Sequence, residues 1–214
     1  MTAKAFIFDL DGVLTDTAEF HFIAWQATAR QLGLEFTRED NEALKGVDRV
    51  GSLQLILDKG KLSVSEEKFE QLLVEKNQHY LELINDINPG NLFPGVLECF
   101  STLKAKGIKI GLASASKNAA FVVDKLGIAD LFDFIGDAAS VADSKPAPDI
   151  FLSVAQGLGL SPEACIGVED AVAGVSAIKS ANMYAVGIGE KSVLTQADIV
   201  FPTTGEMDVE LLLK

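Results

Sequence analysis

Phe6-Ile7-Phe8-Asp9-Leu10-Asp11-Gly12-Val13 is the stretch on which the fold of this chain turns. A short apolar run, Ala5 to Phe8, predicts a buried strand, and it stops abruptly at two aspartates and a glycine. The acids stand at i and i+2, so along extended backbone they share one side. Open α/β sheets bind ligands beyond the carboxyl ends of their strands. Two carboxylates placed there repel each other unless a metal ion or a cationic substrate holds them together. On one reading, one of them coordinates Mg2+ and attacks phosphorus while its neighbour handles the proton. On the other, this is a polar turn closing a strand, for which Asp and Gly are ordinary residues.

Beyond Asp11 the pattern changes. From Asp16 to about Asp86 the periodicity is helical, with almost no strand signal. Asp16 and Glu19 have the spacing of a capping box opening a first helix, which Gly33 ends. Asp48 is placed to cap a second helix reaching about Asp58, and Ser63 with Glu66 repeats the capping pattern before a long helix toward Asn85. From Asn91 onward helix and strand alternate: helix Leu97–Lys106, strand Ile108–Ala113, helix Ala119–Leu126 and a short strand near Phe134. Then follow helix Asp149–Leu158, strand Ala164–Val168, helix Val172–Ser180, strand Met183–Val186, a strand near Ile199 and a terminal helix. Alternating βα units predict an α/β core, a doubly wound parallel (Rossmann-like) sheet with helices on both faces. The first strand belongs to it. Residues 1–15 and 88–214 then form the core, and 16–87 a small helical cap inserted above Asp9 and Asp11, with hinges at Asp11–Thr15 and Asp86–Pro94.

Three more strand or loop ends carry unusual polar residues. Ile110-Gly-Leu-Ala113 runs into Ser114-Ala115-Ser116-Lys117-Asn118, a hydroxyl-rich turn opening a helix. Its backbone N–H groups and the Ser114 hydroxyl suit a phosphate oxygen, although a serine there also serves as a plain helix cap. Lys145 stands in Ser144-Lys-Pro-Ala-Pro148, where prolines stiffen the loop; a lysine is ordinarily a solvated surface charge. Ile166-Gly-Val168 ends in Glu169-Asp170, a second acidic pair, and acids at a helix start are commonly structural. Separately these signals are weak. Together they describe acids and a lysine converging on one crevice, which suits a hard, oxygen-preferring cation such as Mg2+.

In the inserted segment, Thr17, His21 and Trp25 recur at i, i+4 and i+8 and share a helix face, beside an apolar stripe of Phe20, Ile23, Ala24 and Ala27. A lone His and Trp are most often packing residues. On the long helix, Lys76 falls in the stripe of Phe69, Leu72, Leu73, Tyr80, Leu83 and Ile84, where a charge is out of place. It either snorkels outward or points into a wet cleft between cap and core. Arg49, just inside a helix start, is poorly placed for the dipole and well placed to meet an anion.

The bulk numbers exclude some partners. A net charge of −13, from 18 basic and 31 acidic residues, argues against nucleic acid and against an anionic membrane. Cys99 and Cys165 lack metal or redox spacing and read as buried free thiols. Met1-Thr-Ala-Lys4 leads straight into the first strand with no signal-peptide pattern, and no apolar run has the length of a membrane span. A reducing cytoplasm and a monomer are the expectations. A dinucleotide-binding domain is excluded by the lack of Gly-x-Gly-x-x-Gly after the first strand.

In the order Asp-x-Asp, Ser, Lys, Glu-Asp, each at a strand end or in the adjoining loop, the whole chain resembles the haloacid dehalogenase superfamily of phosphotransferases, helical cap included. The resemblance implies that Asp9 is the nucleophile, forming an aspartyl-phosphate, and Asp11 the general acid/base. It implies that Ser114, Ala115 and Lys145 hold the transferring phosphoryl group. Asp9, the backbone of Asp11, and Asp170 with Glu169 beside it would hold Mg2+. The strings Asp9–Thr17, Leu112–Asn118, Ser144–Asp149 and Leu44–Arg49, with Ser52, look like those of a sugar-phosphate mutase of that superfamily. That implies a small phosphorylated sugar as partner. Arg49, Ser116, Lys117 and Asn118 would bind the phosphate not being transferred. His21 would sit near Asp11; Lys76 and Trp25, with Gly46, Val47 and Ser52, would belong to the sugar pocket, and Thr17 to the hinge. One departure is Ala171, where related sequences often place a serine; its expected consequence is a lost hydrogen bond near the metal acids. A phosphatase of the same superfamily and a non-catalytic module on the same fold are the rival expectations.

Overall fold

The computed structural model describes residues 3–214, so Met1 and Thr2 of the leading segment lie outside the described residues. Six parallel strands form one sheet in the order β3-β2-β1-β4-β5-β6. They are β1 (Ala5–Phe8), β2 (Lys109–Leu112), β3 (Phe134–Ile135), β4 (Cys165–Glu169), β5 (Tyr184–Ile188) and β6 (Ile199–Phe201). The chain builds outward from β1 to β3, then returns to the other side of β1 with β4. That reversal opens a crevice at the carboxyl ends of β1, β2 and β4, where doubly wound folds bind ligands.

The first strand shows why the sheet is covered on both faces. All four residues of β1 are buried, and alternate side chains enter different clusters. Phe6 and Phe8 pack with Phe100, Val122 and Val168 on one face, while Ala5 and Ile7 pack with Phe151, Val154 and Ile178 on the other. Such a strand reads as an unbroken apolar run rather than an alternating one.

Between β1 and the rest of the sheet lie α1 (Ala18–Gln31), α2 (Arg38–Glu42), α3 (Arg49–Gly60) and α4 (Glu66–Leu83). They carry their own cluster, with Phe22, Trp25, Leu53, Ile56, Leu72 and Leu73 at its centre. The chain crosses into and out of this block side by side. Thr15 bridges to Leu92, its Oγ1 donates to Asn91 O at 2.8 Å, and Phe93 N donates to Leu14 O at 2.9 Å. The core helices are α5 (Val96–Ala105), α6 (Ala119–Lys125), α7 (Asp149–Gly157), α8 (Val172–Ser180) and α9 (Val209–Leu212).

Helix starts differ from the sequence reading in two places. Asp16 and Glu19 form no capping box: Thr17 is the N-cap of α1 without a side-chain cap bond. Asp16 Oδ1 accepts from Ala18 N at 3.0 Å, and Glu19 is drawn away to Arg38. The cap of α4 is Ser65, accepting from Lys68 N, rather than Ser63. The short α2, which carries a Thr37–Asp40 capping box, was not anticipated. Asp48 caps α3 as expected, accepting from Gly51 N.

Candidate active site

Asp9 follows β1 directly and is 6% exposed. Its neighbour across the sheet is β4, which pairs with β1 from Ala5–Cys165 to Phe8–Val168. Asp9 and Glu169 therefore end adjacent strands one residue past that register. Lys145 enters between them from the loop before α7. Its Nζ donates to Asp9 Oδ1 at 2.6 Å and to Glu169 Oε1 at 2.7 Å. No part of the lysine side chain reaches solvent. Burial works against this ammonium, but Asp9 and Glu169 more than offset it and hold Lys145 above its ordinary value. The surface-charge alternative for Lys145 is excluded.

The second oxygen of Glu169 accepts from Ala171 N at 2.6 Å. The alanine that replaces an expected serine thus still supplies a hydrogen bond to the metal acids, through its backbone. Asp9, Glu169 and Asp170 each present a carboxylate oxygen within 4.8 Å of the others. Burial, with Glu169 and Asp9 nearby, pushes Asp170 well above the usual carboxylate range. One lysine does not neutralise three crowded acids, and their all-oxygen donor set fits Mg2+. The Asp11 carboxylate stands outside this trio.

Asp11 turns the other way. Burial, reinforced by Asp9, raises its carboxyl to about 8. Its Oδ1 is buried without a hydrogen-bond partner among the described residues. Gly12 follows at φ +77, and a Cβ there would lie 2.1 Å from Asp170 Oδ2. Only glycine lets the turn carry Asp11 past the second acidic pair.

The hydroxyl turn after β2 folds on itself. Ser114 Oγ accepts from Ser116 N at 3.1 Å, and Ser116 Oγ accepts from Asn118 N at 3.2 Å. Ser114, Ala115, Ser116, Lys117 and Asn118 all line one cleft of about 1480 Å3 between sheet ends and inserted helices. Its other walls include Asp9, Asp11, His21, Trp25, Gly46, Val47, Arg49, Ser52, Lys76 and Asp170. The side chains of Lys145 and Glu169 are fully buried and do not line it. Thr17 is fully buried outside the wall, and its Oγ1 has no partner among the described residues.

On the cap side, Lys76 is 3% exposed and does not snorkel outward. Its Nζ meets His21 Nδ1 at 2.8 Å and lies 4.6 Å from the Trp25 ring centre and 4.9 Å from that of Tyr80. Tyr80 stacks on His21 at 4.1 Å. Burial, with Lys76 and Arg49 beside it, holds the imidazole well below its ordinary value. With the imidazole neutral, Nδ1 accepts a hydrogen bond from the Lys76 ammonium and the ring proton sits on Nε2.

Sequence reasoning named Asn118 and Asp170 but not the partners they meet in the inserted segment, Asn77 and Lys45. Asn118 Nδ2 donates to Asn77 Oδ1 at 2.8 Å. Lys45 Nζ lies 3.9 Å from Asp170 Oδ2 and 3.0 Å from Glu42 Oε2. Gly46, at φ +75, lies where an added Cβ would stand 3.5 Å from the Ala171 side chain and 3.6 Å from that of Ala173.

Comparison with known proteins agrees with this geometry. The family described as haloacid dehalogenase-like hydrolase matches residues 3–182. A β-phosphoglucomutase of Bacillus subtilis is 46% identical over 98% of this chain and 93% of its own. The crystal structure of a β-phosphoglucomutase from Clostridium difficile superposes with a TM-score of 0.96 at 46% identity, over 98% of this chain and 95% of that one. A phosphorylated carbohydrates phosphatase of Thermotoga maritima is 31% identical over 84% of this chain and 82% of its own. The chain belongs to the haloacid dehalogenase-like hydrolase family.

Proposed function

We propose that this chain is a β-phosphoglucomutase, an intramolecular phosphotransferase that interconverts β-D-glucose 1-phosphate and glucose 6-phosphate. The observation that carries the reading is a single cleft with phosphate-binding chemistry at two places. Ser114 and Ala115 line it together with Asp9, which buried Lys145 pairs from behind, while Arg49, Ser116, Lys117 and Asn118 offer a second anion site. The 46% identity to a β-phosphoglucomutase over nearly the whole chain supports the substrate.

In this reading Asp9 carries the phosphoryl group. The C6 hydroxyl of β-glucose 1-phosphate attacks it, the bond from phosphorus to Asp9 breaks, and the hydroxyl proton passes to Asp11. The resulting β-glucose 1,6-bisphosphate turns over in the cleft. Asp9 then attacks the phosphate on C1, Asp11 returns its proton to the departing oxygen, and glucose 6-phosphate leaves. Lys145 and Ser114 hold the transferring group and offset its charge. Arg49, Ser116, Lys117 and Asn118 hold the other phosphate, while Lys76, His21, Trp25, Gly46, Val47 and Ser52 receive the sugar and Thr17 belongs to the hinge. Asp9, Asp170 and the Asp11 backbone carbonyl would ligate Mg2+, with Glu169 orienting Lys145 beside them. The metal, when bound, supplies Lewis-acid neutralisation of the phosphoryl oxygens. Residues 16–87 act as a cap whose closure excludes the water that would make the same apparatus a phosphatase.

The test is incubation with Mg2+, β-glucose 1-phosphate and a trace of β-glucose 1,6-bisphosphate. Glucose 6-phosphate without inorganic phosphate is the expected result. Stoichiometric phosphate release would replace the mutase with a sugar-phosphate phosphatase, the reading that the Thermotoga maritima relative favours.

A further inference from the structure

Asp48, on the cleft wall, and Ser144 meet although 96 residues separate them: Ser144 Oγ donates to Asp48 Oδ2 at 2.6 Å. Neither side chain is free to drift. Asp48 Oδ1 accepts from Gly51 N at 2.7 Å, so the first turn of α3 fixes the carboxylate. Ser144 sits in the loop whose next residue, Lys145, is anchored at Nζ by Asp9 and Glu169. Each partner thus precedes a cation by one residue, Arg49 on the cap and Lys145 in the core.

We infer that the Ser144–Asp48 hydrogen bond is a latch that sets the spacing between the two phosphate-binding cations of the closed cleft. Both are positioning residues, acting through Lys145 and Arg49. The inference rests on the proposed two-phosphate function and adds a source of selectivity to it. A substrate with phosphates at both ends must satisfy Arg49 and Lys145 together, so it reads the spacing. A donor with one phosphate uses the Lys145 side alone. A charged hydrogen bond between half-buried groups is strong enough for its loss to register in binding.

Ser144→Ala isolates the effect, because Asp48 keeps its duty at the start of α3 and Lys145 keeps both partners. Phosphorylation of Asp9 is followed with two donors, acetyl phosphate and β-glucose 1,6-bisphosphate, with a thermal melt as fold control. The latch predicts that acetyl phosphate performs within about twofold of the wild type, while KM for the bisphosphate rises about tenfold. Ser144→Thr, which keeps the hydroxyl, should restore the bisphosphate KM. Asp48→Ser, which still caps α3, should give the same bisphosphate defect without adding to that of Ser144→Ala. Equal loss with both donors, or no loss with either, overturns the latch. Should wild-type protein release phosphate instead of glucose 6-phosphate, the mutase reading fails, and the two-donor comparison still decides the latch.

Discussion

Lys76 Nζ lies 2.8 Å from His21 Nδ1, in a pocket roofed by Trp25 and Tyr80. An ammonium in that stripe interrupts what would otherwise be continuous apolar packing of α4 against α1. Burial, with Arg49 adding repulsion, brings Lys76 down from 10.5 to about 7. The cap therefore keeps a destabilising charge at the place where a sugar phosphate would enter, as expected of a site built for binding rather than folding.

Replacing that charge should separate stability from function. Below pH 7 Lys76 is protonated in both folded and unfolded chains, and the burial penalty is fully present. Between about 7 and 10.5 the unfolded chain holds the proton that the folded one has released, so this group makes stability rise with pH. Lys76→Met should raise the melting temperature at pH 6 by several degrees, corresponding to a few kcal/mol, and by less at pH 9. Turnover of β-glucose 1-phosphate should fall while phosphorylation by acetyl phosphate persists. An equal gain in melting temperature at both pH values would mean that the penalty is not one of charge.

How much of this was legible in the sequence depends on the range of the interaction. Strand β1 and its two acids could be read because a fully buried parallel strand has no polar alternation to obscure it. The helix starts were less secure: Ser63 and Ser65 are two residues apart, and the spacing to Glu66 favoured the wrong one, since the bond that forms is from Lys68 N to Ser65 Oγ. Ser114, Lys145, Glu169 and Asp170 could be found because each ends an apolar run or its loop. Asn77–Asn118, Lys45–Asp170 and Ser144–Asp48 could not. These pairs connect the inserted segment to the rest of the chain across 41 or more residues, and no local spacing encodes which polar tips meet over such distances.

Asp9 is the residue whose loss should stop chemistry while sparing the fold. Lys145 would retain Glu169 at 2.7 Å, so Asp9→Ala leaves no buried ammonium unpaired. Incubation with acetyl phosphate should add no phosphoryl mass to the variant, whereas wild-type protein gains one on Asp9. Turnover surviving in Asp9→Ala would remove it as nucleophile.

Lys145→Ala should behave in the opposite way and damage the fold. It leaves Asp9 and Glu169 facing each other with no cation between them, and stranding a buried charge costs about 3–5 kcal/mol. The denaturation midpoint should drop accordingly. Added Mg2+ should recover part of the loss, because the ion takes over neutralisation of the same oxygens. A midpoint equal to that of wild-type protein would mean that the pair at 2.6 Å is not what holds these acids together.

Metal removal has a signed pH signature. Burial, with neighbouring acids adding, raises Asp11 from 3.8 to about 8 and Asp170 well above the usual range. A raised carboxyl keeps its proton in the folded chain after the unfolded one has lost it, so metal-free protein should lose stability as pH climbs from about 4 toward 8. Saturating Mg2+ should flatten the part of that decline that belongs to Asp170 by binding its ionised carboxylate, with a gain on the order of 3 kcal/mol at a hundredfold excess over Kd. Melting curves with chelator and with Mg2+ across this range read both slopes. Parallel curves would show that Asp170 does not hold the ion.

Gly12 offers the most local test of the metal site. Its φ of +77 disfavours any side chain, and a Cβ would stand 2.1 Å from Asp170 Oδ2 and 2.4 Å from Asp170 Cγ. The obstacle is a carboxylate rather than backbone, so Gly12→Ala is expected to fold, at a cost of about 1–2 kcal/mol for the left-handed conformation. Relief comes from swinging Asp170 away, and that dismantles the trio with Asp9 and Glu169. Mg2+ affinity, read by calorimetry in the absence of substrate, should fall at least about tenfold, the usual scale for disturbing a ligand's surroundings. Gly33→Ala is the control: its φ is +72, but nothing lies within 4 Å of the added carbon. It should show the same backbone cost and unchanged Mg2+ binding. If both variants bind the ion alike, Asp170 is not held in place by the turn at Gly12.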